Sequence, residues 1–242
     1  MFILYTPYYI LHNMTKKVAI FDIDGTIFRS SLLIELVDIL IEQGDFPESA
    51  RAEFEKDHNL WLERKGDYGA YIGAVIKTFD ANIKGMHYSH FAEASKMVIE
   101  RYQNHTYRYT RDLVADLKKK KYYILAITQS PKAVAEKFCE KLGFNKVYGR
   151  LLEIGPNDCL TGRPIEEHLI SNKANIVKRA VEKENLTLEG SIGVGDTESD
   201  IPLLEMVENP ICFNPNMKLY KHAKRNGWKV VVERKDVIYE FE

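Results

Sequence analysis

The sequence predicts an α/β fold: a mostly parallel sheet core with an α-helical cap inserted after its first strand. Three features carry that prediction. Short apolar runs rich in strand formers end in polar residues, at residues 17–22 (KVAIFD), 122–128 (YYILAIT), 191–195 (SIGVG), 210–213 (PICF) and 229–232, as buried parallel strands do. Helical patterns separate them at residues 131–142, 173–183 and 216–226, and strand alternating with helix is the pattern of a parallel α/β layer. Roughly a hundred residues lie between the first and second runs, far beyond the dozen or so a crossover needs.

That interval reads as four helices, at residues 32–43, 47–64, 68–79 and 89–103, with Gly44, Gly66 and Gly85 as breaks. The predicted division is therefore a core of residues 14–31 and 106–242 with a cap of residues 32–105, which leaves and rejoins the sheet where it overhangs the strand tips. Residues 1–13 read as an extension upstream of Met14. Their apolar start (MFILYTPYYIL) is interrupted by Pro7, lacks a basic flank and is too short to cross a bilayer.

The 242 residues, 45% of them apolar, suffice for one sizeable core and a smaller second domain. Lys and Arg number 34 against 35 Asp and Glu, so no bulk charge draws the chain to nucleic acid or to an anionic membrane. The densest basic run, residues 118–121, reads as the solvated end of a helix. Three cysteines, Cys139, Cys159 and Cys212, have no metal-type spacing and make an odd number, which argues for reduced thiols and a cytoplasmic location.

Two acidic clusters fall at strand ends. Asp22-Ile23-Asp24-Gly25-Thr26 sets two carboxylates two residues apart, where extended backbone turns them the same way. Buried like charges of this kind call for a cation, a shared proton or solvent. The second cluster is Gly193-Val194-Gly195-Asp196-Thr197-Glu198-Ser199-Asp200, with Asp196 and Asp200 one turn apart if a helix begins there. A helix N-cap accounts for one of these two acids but hardly both. Together the clusters offer hard oxygen ligands of the kind magnesium takes beside water and phosphate. Thr128 at the end of its strand, with the Gln129 and Ser130 amides, makes a neutral cradle for phosphate oxygens. Lys173, opening the helix before SIGVGD, is placed to act as a point charge, with Lys178 as its competitor.

Asp22-x-Asp24-Gly-Thr, Thr128, Lys173 and Gly195-Asp196-x-x-x-Asp200, in this order over nearly the whole chain, resemble the haloacid dehalogenase-like (HAD) superfamily of phosphohydrolases. The helical insertion, Asn214-Pro215-Asn216 and the later Gly227-Trp228 are similar to the subgroup that contains phosphoserine phosphatase. The resemblance implies a Rossmann-like core and a magnesium-dependent phosphatase acting on a small phosphomonoester. Asp22 would attack phosphorus to form an aspartyl phosphate, and Asp24 would protonate the leaving oxygen and then activate water. Magnesium would be held by Asp22, the Asp24 carbonyl and Asp196, with Asp200 orienting waters or Lys173, while Thr128, Gln129 and Lys173 bind the phosphoryl oxygens.

Specificity is expected from the cap, with Arg29, Trp61, Arg64, Lys65, Tyr68 and Tyr71 as candidates. Phosphoserine phosphatases carry a glutamate shortly after the first motif and Gly-Gly after the second. Here no glutamate precedes Glu35, and Gln129-Ser130 replaces the glycines, which argues against phosphoserine. A phosphotransferase or phosphomutase would use the same aspartyl chemistry with an acceptor other than water, and a phosphate-accepting regulatory domain would cluster similar residues in about half this length without a cap.

Overall fold

The computed structural model describes residues 15–166 and 172–241; the extension expected at residues 1–13 lies outside them. The strands are β1 (Lys16–Phe21), β2 (Tyr123–Pro131), β3 (Lys146–Ile154), β4 (Leu160–Ile165), β5 (Leu186–Gly195), β6 (Asn209–Phe213), β7 (Lys229–Arg234) and β8 (Val237–Phe241). They form one sheet in the order β4-β3-β2-β1-β5-β6-β7-β8, parallel from β3 through β7 and antiparallel at both margins. Chain order reverses at β1, which lies between β2 and β5. In such sheets ligands bind in the crevice beyond the carboxyl ends of the strands at this switch point.

Alternation along β1 assigns its side chains to two layers. Ala19 and Phe21 join a cluster with Ile124, Ala126, Val194, Val134 and Phe138, while Val18 and Ile20 join Leu125, Ile127, Ile176 and Val177 on the opposite face. Helices α5 (Arg108–Lys119) and α6 (Lys132–Leu142) cover the first face; α7 (Lys173–Lys183), α8 (Ile201–Leu204) and α9 (Met217–Asn226) cover the second. Both faces of β1 are dry, which is why its sequence reads as a continuous apolar run.

Four helices precede α5: α1 (Leu32–Glu42), α2 (Ala52–Leu62), α3 (Tyr68–Asn82) and α4 (Tyr88–Tyr102). Ser31 caps α1 by accepting from the Leu33 N–H, and Asp67 caps α3 by accepting from the Ala70 N–H. Their shared core, Leu36, Leu40, Val75, Phe79, Phe91 and Val98, is continuous with the α6 side of the sheet. The β3–β4 hairpin adds a second attachment. Leu160 exchanges backbone hydrogen bonds with Gly85 and Met86, and Arg150 pairs with Asp80 at 2.8 Å.

Several boundaries differ from the sequence reading. Residues 47–64 open with a 3-10 turn, Glu48–Arg51, before α2. Pro131 closes β2 instead of opening a helix, and β5 starts five residues before Ser191, at Leu186. Strands β3, β4 and β8 have no counterpart among the expected ones: Gly149, Arg150 and Glu153 break β3, Gly162, Arg163 and Pro164 break β4, and β8 is a short, mostly exposed edge strand. Among the described residues no helix is long and apolar enough to cross a membrane.

Candidate active site

Register places the two acidic clusters side by side. Phe21 is level with Val194 on β5 and with Ala126 on β2, so Asp22, Gly195 and Ile127 share the next rung, and Asp196 and Thr128 follow at the tips. Close approach depends on glycine. Gly25 sits at φ +77°, and a Cβ there would lie 2.1 Å from Asp196 Oδ2; no L side chain fits either demand well. Thr26 Oγ1 donates to the other Asp196 oxygen at 3.3 Å.

Lys173, at the start of α7 and 3% exposed, ties the clusters together. Its Nζ donates to Asp22 Oδ1 and to Asp200 Oδ1, each at 2.5 Å. Asp200 Oδ2 accepts from the Asp196 and Thr197 N–H groups at 3.0 Å, completing a capping box whose N-cap is Thr197. Asp196 is therefore not a helix cap. A 3-10 turn, Glu198–Asp200, follows it in place of the α-helical turn read from the sequence. Both oxygens of Asp200 are engaged, whereas among the described residues Asp22 Oδ2 has no hydrogen-bond donor.

Carboxylate oxygens of Asp22, Asp196 and Asp200 all lie within 4.8 Å of one another, with Lys173 as the ammonium in their midst. Burial pushes the Asp22 carboxyl up to about 8 against the pull of Lys173, with Asp200 and Asp24 adding to the rise. Asp196 is raised as well, by burial first and then by Asp22 and Asp200. Burial alone would lower the Lys173 ammonium, but Asp200 and Asp22 outweigh it and raise it. One cation thus faces an excess of carboxylates. The oxygen donors at Asp22 and Asp196, with Asp200 occupied by Lys173 and amides, fit a hard divalent cation that replaces their protons.

Asp24 lies between the cap and β2. Its Oδ1 accepts from the Leu32 N–H at the start of α1 at 2.6 Å, and its Oδ2 from Thr128 Oγ1 at 2.5 Å. The Ser130 amide donates to Thr128 Oγ1 at 3.0 Å. In this arrangement neither the Thr128 hydroxyl nor the Ser130 amide is turned to a phosphate, unlike the cradle read from the sequence: the hydroxyl holds Asp24, and the amide holds the hydroxyl. Gln129 is exposed on the cavity wall.

Asp22, Asp24, Lys173 and Asp196 floor a cavity of about 550 Å³. Its remaining walls include Leu33, Ile72, Ile76, Glu198, Met217 and Lys218, none of them singled out from sequence. A second cleft of about 840 Å³ shares Tyr68, Asp196 and Asn216 with the first. Arg29, Trp61, Arg64 and Tyr71 line this second cleft, where Tyr71 stacks on His58 at 4.7 Å and on Trp61 at 5.7 Å. Lys65 lines neither cavity and pairs with Glu63 on the surface.

The family model described as haloacid dehalogenase-like hydrolase matches residues 19–205. The histidinol-phosphatase of Neisseria meningitidis serogroup C (strain 8013) is 25% identical over 221 residues, spanning 89% of this chain and 98% of that protein. The phosphoserine phosphatase of Archaeoglobus fulgidus is 25% identical over 208 residues, spanning 85% of this chain and 55% of that one. A solved phospho-aspartyl intermediate analogue of phosphoserine phosphatase shares the fold with a TM-score of 0.62 at 20% identity, covering 92% of this chain and 95% of that one.

Proposed function

This chain belongs to the haloacid dehalogenase-like hydrolase family and is a phosphatase of the phosphoserine-phosphatase type, and we propose that it hydrolyses a small phosphomonoester through an aspartyl phosphate on Asp22 with magnesium as cofactor. The observation that carries the reading is the state of Asp22: one oxygen fixed by Lys173, the other without a donor among the described residues, at the floor of the cavity. A buried carboxylate held in this way is a positioned nucleophile. The solved phospho-aspartyl analogue has the same fold and supports the covalent route.

In the first step an Asp22 oxygen bonds to phosphorus, the bond to the leaving oxygen breaks, and Asp24 gives that oxygen its proton. Both Asp24 oxygens now accept hydrogen bonds, so donation follows rotation of Asp24 off the Leu32 amide. The same rotation frees the Thr128 hydroxyl for a phosphoryl oxygen. In the second step Asp24 takes a proton from water, the water oxygen bonds to phosphorus, and the acyl phosphate bond breaks to restore Asp22. Lys173 offsets charge on the phosphoryl group and Gln129 lines its edge. Asp22, Asp196 and the Asp24 carbonyl would hold magnesium, which supplies charge neutralisation at the phosphoryl oxygens; Asp200 positions Lys173 and the Asp196 backbone.

The proposed organisation is a core of residues 14–31 and 106–242 and a cap of residues 32–105. The free thiols Cys139, Cys159 and Cys212 fit the cytoplasm. The test is phosphate release from a panel of phosphomonoesters with magnesium and with a chelator, with an added alcohol as competing acceptor. Magnesium-dependent release of inorganic phosphate is expected. Turnover that survives the chelator, or phosphate recovered mainly on the alcohol, overturns the hydrolytic metal-dependent reading.

A further inference from the structure

Helix α3 carries two apolar stripes, each at a spacing of four residues. Tyr71, Val75 and Phe79 are buried inside the cap, while Tyr68, Ile72 and Ile76 are half-buried and line the cavity above Asp22 and Asp24. The first stripe lies within the core; the second packs against that core on one side and turns its remaining surface to the cavity. Leu33 at the start of α1 and Met217 on α9, the latter 66% exposed, extend the same apolar wall. Gly69 lies on this wall too, with Asp67 Oδ1 3.0 Å from the position a Cβ would take.

Among the described residues, the charged groups of this cavity outside the catalytic set are Asp67, Glu198 and Lys218. Asp67 caps α3 through the Ala70 amide, and Glu198 and Lys218 pair with each other at 2.7 Å. The charged side chains nearest the cap, Arg29, Glu35, Asp38 and Arg64, line the neighbouring cleft and not this one. Among the described residues no cap guanidinium lines this cavity, and its one cap carboxylate, Asp67, has one oxygen committed to the Ala70 amide at the rim. Placing an ionic group against such a wall forfeits its hydration without a partner.

Resting on the phosphatase reading above, we propose that the preferred substrate is the phosphate ester of an uncharged, largely apolar alcohol, held by Tyr68, Ile72 and Ile76. Amino-alcohol and amino-acid phosphates are poor substrates by the same contacts. This sets the chain apart from its relatives named for phosphoserine and histidinol, whose phosphates both carry an ammonium group.

The experiment compares kcat/KM, with magnesium, for four phosphates of primary alcohols: benzyl and isoamyl phosphate against O-phosphoserine and phosphoethanolamine. The apolar pair is expected to lead by about tenfold or more, the discrimination a matched apolar pocket supplies. Ile72→Arg, and the milder Ile76→Gln, are expected to lower kcat/KM for benzyl phosphate mainly through KM and to narrow the ratio, while Ile72→Leu preserves it. Phosphoserine or phosphoethanolamine matching the apolar esters, or a ratio unmoved by Ile72→Arg in a folded variant, overturns the proposal and leaves the phosphatase reading standing. Hydrolysis of none of the four also overturns the proposal, and the phosphatase reading then rests on the wider panel of phosphomonoesters.

Discussion

The strand tips and the cap face above them are built on opposite terms. At the tips the charged groups are held by specific partners, Asp22 through one oxygen only: Lys173 by Asp22 and Asp200, Asp200 by two amides, Asp24 by Leu32 and Thr128. On the overhanging face of α3, Tyr68, Ile72 and Ile76 present a largely apolar surface to the cavity, with the Tyr68 phenol pKa raised by burial and then by Asp24 and Asp196. A clamped site tolerates no exchange of residue type, whereas an apolar face accepts many. On the proposed reading the chemistry belongs to the core, and the choice of alcohol to the cap face.

The sharpest way to break this contrast is to remove the proposed nucleophile. Asp22→Asn keeps the shape of the site and is expected to lower kcat on the order of 10⁴-fold or more, by the same factor for every ester, in a variant whose circular dichroism matches the parent. A loss that depends on the alcohol would show that core and cap do not divide the work. Lys173→Met comes next. It leaves the Asp22 and Asp200 carboxylates buried without their ammonium, which costs about 3–5 kcal/mol of stability, and it removes a phosphoryl contact worth about 10²–10³ in kcat. Denaturant melts and steady-state rates on one preparation check both, and a variant as stable as the parent would show that the clamp is not what holds the tips.

The same contrast governs how much was legible in the sequence. The Asp22-x-Asp24 motif is visible because buried parallel strands read as unbroken apolar runs, and β1 ends at Phe21, just before Asp22. Gly25 is legible for a reason the sequence alone does not state: it needs both a positive φ and the space that Asp196 fills. The cap was harder. Tyr71, Val75 and Phe79 have the same spacing and apolarity as Tyr68, Ile72 and Ile76, so periodicity identifies the helix but not which stripe faces the site. Arg29, Trp61, Arg64 and Tyr71 stood out by chemistry yet line the neighbouring cleft. The engagement of Thr128 with Asp24 and Ser130 was illegible too, because it depends on side-chain rotamers where β2 meets α1.

The smallest expected effect tests the charge imbalance at the tips. The folded-state proton affinity of Asp22 is raised, to about 8, above the unfolded value of 3.8. Without metal, the native state therefore holds a proton that the unfolded chain has released. The stabilisation from that proton is complete below the unfolded value and is lost as pH rises through about 8, and the raised Asp196 acts in the same direction. Metal-free protein should melt lower by roughly 3 °C or more at pH 8 than at pH 5.5, after correction for exposed carboxylates with Asp22→Asn, in which this part of the slope disappears. Magnesium should reverse the loss and release protons on binding near pH 6.5, seen in calorimetry as a binding heat that varies with the ionisation enthalpy of the buffer. A heat independent of buffer would mean that Asp22 and Asp196 are already ionised, and that Lys173 alone balances the tips.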